Sequence, residues 1–125
     1  MFEFDVVGET GSVVTTDAAP VLDREHFRAI TLEDEDLMRE LLAALIVDTE
    51  QQLPLLDVAI RNTDGAQCAR LAHYSKGACA NVGAKAAAEV LAQLERNAKS
   101  GAMEECSRQL AALAVEVDRL RTAEI

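Results

Sequence analysis

One histidine, His73, lies within a segment made largely of alanine and other small residues. In a helix, at about 100° per residue, Lys76 and Gly77 follow His73 by roughly one turn and share its face. Lys76 can supply a compact positive charge that offsets an anion on the imidazole ring. A glycine inside a helix costs about 1 kcal/mol relative to alanine, and Gly77 leaves bare backbone where a bulky group can approach the ring. These residue types suit an imidazole nucleophile that accepts a phosphoryl group.

The hydrophobic pattern predicts a helix from Gly65 to Val82, with Asp64 as its cap and Gly83 as its stop. On a helical wheel its larger apolar side chains and Ser75 fall on one side, and His73 falls on the opposite side. His73 is therefore predicted to point away from the core, on a surface that a partner can contact closely. On this wheel several small residues fall within about 60° of His73, as does Lys76; the small ones are Ala66, Ala69, Gly77 and Ala80.

Other chemistries lack the residues that they need. No second histidine lies near His73 in the sequence, because His26 belongs to a different segment, and no metal-ligating spacing is present. Glycine-rich phosphate loops and nucleophile elbows are also missing. The cysteines are odd in number and far apart, which favours reduced core residues at Cys68, Cys79 and Cys106. We therefore expect no metal site and no cofactor of the protein's own.

The elements that must position His73 are predicted to be helices throughout, from Leu22 onward. A short helix covers residues 23–30, and Thr31 is expected to cap a long helix that reaches about residue 62, with a kink or break at Pro54. One further helix spans residues 84–99, and the last helix begins near Met103. Four amphipathic helices with short connections predict an all-α, antiparallel up-down-up-down four-helix bundle. The stripe expected to be buried on the helix of residues 84–99 is Ala87, Leu91, Leu94 and Ala98.

The first 22 residues differ from the rest of the chain. Phe2, Phe4 and Val6 alternate with polar residues, and Gly8 to Gly11 can form a turn. This pattern favours an extended or β-like arm, although a lone two-stranded ribbon is marginal unless it packs on something. We therefore divide the chain into an N-terminal arm, residues 1–22, and a helical bundle, residues 23–125.

The charge of the chain is strongly acidic and unevenly distributed. The net charge is −10, and residues 1–64 contribute −11 of it while residues 65–125 carry +1. This balance disfavours binding to nucleic acid or to an anionic membrane surface. No apolar run approaches the roughly 20 residues of a membrane span, and no signal peptide is seen. A cytoplasmic protein is the expectation that follows.

Residues 72–84, AHYSKGACANVGA, resemble the phosphoacceptor helix of histidine-containing phosphotransfer (Hpt) domains. That family's pattern is a histidine, two residues, Lys-Gly, and a run of small residues that leads to Asn-x-Gly-Ala. Leu94-Glu95 lies where the family often has Leu-Glu on the next helix, and the resemblance covers about residues 30–121. One departure is Ser75, where the family usually has leucine; we expect its hydroxyl to bond back to the carbonyl of Leu71. The matching residues are Ala72, His73, Lys76, Gly77, Asn81, Gly83 and Ala84.

The resemblance implies a phosphorelay intermediate with no kinase activity of its own. A response-regulator receiver domain, or a hybrid histidine kinase that contains one, would dock on the His73 face and pass its aspartyl phosphate reversibly to Nε2. The receiver would bring the Mg²⁺, and Lys76 would offset the phosphoryl charge. Glu95 either accepts a hydrogen bond from Nδ1–H, which leaves Nε2 free, or is a solvated carboxylate. Arg70 and Lys85 would steer an acidic rim of the receiver.

Two other functions stay open at this point. The first is a helical adaptor that binds a receiver or kinase domain without accepting phosphate, an alternative suggested by Ser75 and the extra arm. The second is an oligomeric bundle whose small-residue His73 face is a subunit interface, since small residues also allow helices to approach closely. A phosphocarrier should instead be a monomer, or dimerise through the arm.

Overall fold

The computed structural model describes residues 19–123, which form five α-helices and, within that range, no β-strand. The β-like arm predicted before residue 19 lies outside the described residues. The all-helical prediction is confirmed for the remainder. The helices are α1 (Arg24–Ile30), α2 (Glu35–Arg61), α3 (Gly65–Val82), α4 (Lys85–Lys99) and α5 (Met103–Arg121).

The four long helices form a bundle around one apolar core. Each of them packs against two neighbours, so that α2, α3, α4 and α5 close a ring. All four residues of the stripe predicted on α4 are buried. The core is completed by fully buried side chains from the other helices, among them Leu56 on α2 and Leu113 on α5. This packing fixes α3 between α2 and α4, which is how the helix that carries His73 is held.

The start of α2 differs from the prediction. Thr31 does not cap α2; it ends α1, and its hydroxyl donates to the carbonyl of Phe27 at 2.8 Å. Leu32 and Glu33 then take positive φ angles of 54° and 60°, which prevents the helix from continuing. Asp34 is the cap of α2, because its carboxylate accepts from the backbone N–H of Leu37. The sequence does not single out Asp34 as the cap, because residues 33–36 are all acidic.

A second difference concerns Pro54. The sequence predicts a kink or a break there. The prediction of a break is wrong, because α2 runs without interruption from Glu35 to Arg61. Burial on both sides of Pro54 explains this: Thr49 and Leu56 are almost fully enclosed and Leu53 packs against the core. Tertiary packing therefore outweighs the lost backbone hydrogen bond.

Both predicted ends of α3 are confirmed. The Asp64 carboxylate accepts from the N–H of Gln67, and Gly83 ends the helix with a φ of 93°. At the first end α3 comes very close to α4, since a Cβ placed on Gly65 would lie 2.5 Å from the carbonyl oxygen of Ala98. The glycine at this position is thus required by the approach of two backbones.

The other end of α3 contacts the start of α1, and we call these contacts between residues 23–26 and residues 81–85 the clasp. The backbone N–H of Asp23 donates to the carbonyl of Gly83 at 2.8 Å, and the ring Nε2 of His26 lies 3.0 Å from the carbonyl oxygen of Asn81. Lys85 closes the clasp through an ion pair of 3.0 Å with Asp23. The second half of the Hpt-like motif, Asn81 to Ala84, is therefore the attachment point of α1.

The cysteines are core residues, as predicted. All three are buried free thiols. Burial raises the pKa of Cys68 to about 12 and that of Cys79 to about 11, so both are protonated near neutral pH. In the part of the chain that the structure describes, no cluster of metal-ligating side chains is present and no helix is long and apolar enough to cross a membrane.

Candidate functional site

His73 lies in the middle of α3 with its ring turned outward. Its side chain is 69% exposed, as the wheel predicts, because the opposite side of α3 packs into the core. The ring Nδ1 is 3.1 Å from Oε2 of Glu95 on α4. In the neutral ring, a hydrogen on Nδ1 donates to this carboxylate and leaves the lone pair of Nε2 available for attack on an electrophile.

Glu95 is a buried carboxylate that is surrounded by donors. Its side chain is only 10% exposed, so the structure places it against His73 rather than in solvent. Lys76 donates to Oε1 at 2.8 Å, and Lys99 lies 3.2 Å from Oε2. The hydrogen bond from Lys76, helped by that from Lys99, lowers the pKa of Glu95 to about 2 against the opposing effect of burial. Glu95 is therefore ionised near neutral pH.

Lys76 serves this carboxylate in the resting site. Its side chain reaches across from α3 to α4 and is about one-third exposed. The sequence predicts that Lys76 offsets an anion on His73. In the structure its ammonium donates a hydrogen bond to Glu95, the residue that contacts the ring. Lys76 is therefore linked to the ring through Glu95.

The small residues around His73 are not all equivalent. Gly77 is exposed, and a Cβ built on it would meet nothing within 4 Å, so it leaves open space beside the ring. Ala66 and Ala80 are also exposed. Ala69, expected on the same open surface, is 92% enclosed, with a relative exposure of 8%. The wheel misplaces it because α4 comes so close to α3 near Ala98.

A cleft of about 600 Å³ opens beside the ring, between α3 and α4. Ala69 contributes to its wall despite its small exposure, and Arg70 lies at its edge with its guanidinium donating to Gln67. Tyr74, on the other side, reaches α2 through a hydrogen bond of 3.4 Å from its hydroxyl to Asp48. The lining residues are Ala69, Arg70, His73, Tyr74, Glu95 and Lys99.

The structure separates one expected residue from the site and adds another. Lys85 stands at the start of α4, ten residues or about 15 Å from Glu95, and pairs with Asp23 in the clasp. Lys85 was predicted to steer the rim of a receiver, whereas Lys99, which was not predicted, is the second ammonium that contacts Glu95. Its spacing of four residues from Glu95 was the available signal, since such pairs meet on a helix surface.

Ser75 also differs from expectation. The residue is fully buried, as the wheel predicts, but its hydroxyl makes no hydrogen bond, so the expected bond to the carbonyl of Leu71 is absent. A buried hydroxyl without a partner is destabilising. The effect of this departure is therefore on packing in the core behind His73.

Comparison with known proteins agrees with this geometry. Residues 40–123 match the family described as Hpt domain. The chain belongs to the Hpt family. The resemblance seen in the sequence is thereby confirmed, and the matched region contains His73 and all of the contacts of Glu95.

This Hpt domain is similar in fold to a histidine-containing phosphotransfer protein of known structure. The crystal structure of histidine-containing phosphotransfer protein B (HptB) from Pseudomonas aeruginosa PAO1 is 27% identical in sequence, with a TM-score of 0.75. The alignment covers 83% of this chain and 90% of that one. No curated protein sequence matches the chain. The family and this neighbour support a role in histidine phosphotransfer.

Proposed function

We propose that this Hpt domain is a phosphorelay intermediate that accepts a phosphoryl group on His73 and passes it on reversibly. The donor is the aspartyl phosphate of a response-regulator receiver domain, free or within a hybrid histidine kinase. The observation that carries the proposal is the contact of 3.1 Å between His73 Nδ1 and Glu95 on an exposed ring. It directs Nε2 outward as the nucleophile.

In the proposed transfer, Nε2 of His73 is the nucleophile, and Glu95 and Lys76 balance the charges that develop. Nε2 attacks phosphorus in line, the bond from phosphorus to the receiver's carboxylate oxygen breaks, and a bond from phosphorus to Nε2 forms. The ring then carries positive charge, which the Glu95 carboxylate beside Nδ1–H offsets. The phosphoryl oxygens are anionic, and Lys76 is the nearby ammonium that can balance them.

The receiver is proposed to bring what this chain lacks. The receiver would supply a Mg²⁺ ion, which in phosphoryl transfers offsets the charge of the phosphoryl group. The open space at Gly77 and the exposed Ala66 and Ala80 permit the two surfaces to approach. Arg70 at the edge of the cleft then steers an acidic rim of the receiver toward His73.

The remaining features of the proposal concern the whole chain. We propose that the protein acts in the cytoplasm as a monomer, that its four long helices alternate in direction, and that it has no kinase activity. Connections of only two or three residues between successive helices that pack together support the alternation. Membership of the Hpt family supports the role of carrier.

The test is transfer of radiolabelled phosphate from a panel of phosphorylated receiver domains. Wild-type protein should acquire label that is acid-labile and alkali-stable, as expected of phosphohistidine, and His73→Gln should acquire none. The chain has two histidines, so His26→Gln is a matched control that should be labelled like the wild type.

Each other outcome has a definite meaning. Label on His73→Gln as well would move the acceptor elsewhere and overturn the proposal. Binding of a receiver without any transfer would support the adaptor, in which the His73 face is used for docking alone. Sedimentation tests the remaining alternative, because it would detect an oligomer. An oligomer that hides the His73 face would also be protected from labelling.

A further inference from the structure

The two oxygens of Glu95 are used unequally. Lys76 takes Oε1, whereas Oε2 is shared between the ring Nδ1 of His73 and the ammonium of Lys99, at 3.1 and 3.2 Å. Lys99 has no place in the transfer step as proposed above, and its side chain is 66% exposed. It nevertheless meets the one carboxylate oxygen that contacts the ring.

The proton on Nδ1 controls how easily a phosphorylated ring gives up its phosphoryl group. When water or a receiver carboxylate attacks phosphorus, the P–Nε2 bond breaks and its electron pair stays on Nε2. The ring leaves as neutral imidazole only if Nδ1 keeps a proton; otherwise it must leave as an anion. A carboxylate beside Nδ1 favours that proton and so shortens the lifetime of phosphohistidine.

We propose that Lys99 is a positioning residue that lengthens the lifetime of phosphohistidine by holding Oε2 of Glu95. The inference rests on the proposed function of His73. By occupying part of Oε2, Lys99 weakens the hold of the carboxylate on Nδ1–H, so that the phosphoryl group is lost to water more slowly. Lys99 and Lys76 thus bind different oxygens of the same carboxylate.

The charged groups that face the ring come from three helices. Glu95 and Lys99 belong to α4, and Lys76 and Arg70 belong to α3. From α2, Asp48 accepts a hydrogen bond from the hydroxyl of Tyr74, the residue that follows His73. Only Lys99 among these cations shares an oxygen with Nδ1, and this is why its removal is the informative change.

The experiment measures the half-life of phosphohistidine after the purified full-length protein is loaded with phosphoramidate, a small phosphodonor that needs no receiver. Lys99→Ala should shorten the half-life by about three- to fivefold, the size expected for one partly exposed charge. Its profile of hydrolysis rate against pH should move to higher pH. Lys99→Arg, which keeps the charge, should restore most of the wild-type half-life. Lys85→Ala is the matched control, a lysine of the same helix that pairs with a distant carboxylate.

A second background separates action through Glu95 from a direct effect on the phosphoryl group. In Glu95→Gln, Lys99→Ala should leave the half-life unchanged, because there is no charge left to share. An equal shortening in both backgrounds, or no shortening in either, would overturn the inference while the function of His73 stands. Failure of wild-type protein to load on His73 would instead overturn the proposed function.

Discussion

Glu95 couples the reactive histidine to the stability of the fold. The pKa of its carboxyl group is lowered from 4.5 to about 2, mainly by the hydrogen bond from Lys76. A lowered pKa means that the folded state holds this proton less tightly than the unfolded chain does. The contribution of Glu95 to stability is therefore complete above pH 4.5 and is lost as the pH falls toward 2.

This coupling predicts a difference between wild type and Glu95→Gln in acid. The free energy of unfolding of the wild type should fall between about pH 4.5 and 2 by an extra 1–2 kcal/mol, a figure reduced for solvent screening of the exposed lysine. Glu95→Gln should lack this extra loss. Urea unfolding followed by circular dichroism at several pH values would measure it, and parallel pH profiles for the two proteins would contradict the assigned contacts.

Ser75 brings a hydroxyl into the core-facing side of α3. It is fully buried and makes no hydrogen bond. Ser75→Ala removes the unpaired group with little change in volume, so the free energy of unfolding should rise by about 1 kcal/mol. Thermal unfolding would show this as a higher midpoint. A lower midpoint would mean that the hydroxyl has a partner in solution.

At the scale of the helix, two glycines of α3 have opposite surroundings. A Cβ on Gly65 would collide with the carbonyl oxygen of Ala98, at 2.5 Å, whereas one on Gly77 meets open space. Gly65→Ala should therefore lower the free energy of unfolding by about 1–3 kcal/mol. Gly77→Ala should raise it by about 0.5–1 kcal/mol, because alanine favours helix. The pair can be compared directly by urea unfolding.

The same pair distinguishes stability from function. Gly77→Ala should be the more stable protein and yet receive phosphate from a receiver more slowly, since the new methyl group lies where the partner must approach the ring. Loading by phosphoramidate, which needs little space, should be affected much less. Transfer from the receiver at the wild-type rate would show that Gly77 does not serve docking.

Periodicity predicts what depends on one helix and misses what depends on two. The buried stripe of α4, the cap at Asp64 and the outward direction of His73 all follow from the spacing of residues along a helix. The enclosure of Ala69 depends on how near α4 comes, and that distance is a property of the pair of helices. Lys99 escaped notice for a related reason, because its importance depends on Glu95 being buried.

At the scale of the molecule, charge is distributed so that the site differs from its surroundings. The chain carries −10, but Arg70, Lys76 and Lys99 gather around one cleft and its buried carboxylate. An acidic receiver surface would be repelled by the acidic first half of the chain, which carries −11, and attracted here. The charge pattern thereby favours one docking orientation over the others.

This distribution predicts the response to charge reversal. Arg70→Glu should slow transfer from the receiver by roughly three- to tenfold at low salt, and the difference should shrink as salt is added. Arg108→Glu on α5, which changes the net charge by the same amount away from the cleft, is the matched control. Stopped-flow or quenched transfer assays at several salt concentrations would measure both. Equal effects of the two substitutions would remove Arg70 from the docking surface.

The clasp at the end of α3 bears on how relatives of this chain are recognised in genomes. The stretch from Asn81 to Ala84 ends α3 and anchors α1, and neither task needs a nucleophile. His73, Lys76 and Gly77, the residues proposed for the chemistry, lie outside the apolar core. A chain that retained the first set and lost the second would still be identified as an Hpt domain while being a pseudo-carrier. Searches for working phosphorelays should therefore require the histidine half of the motif.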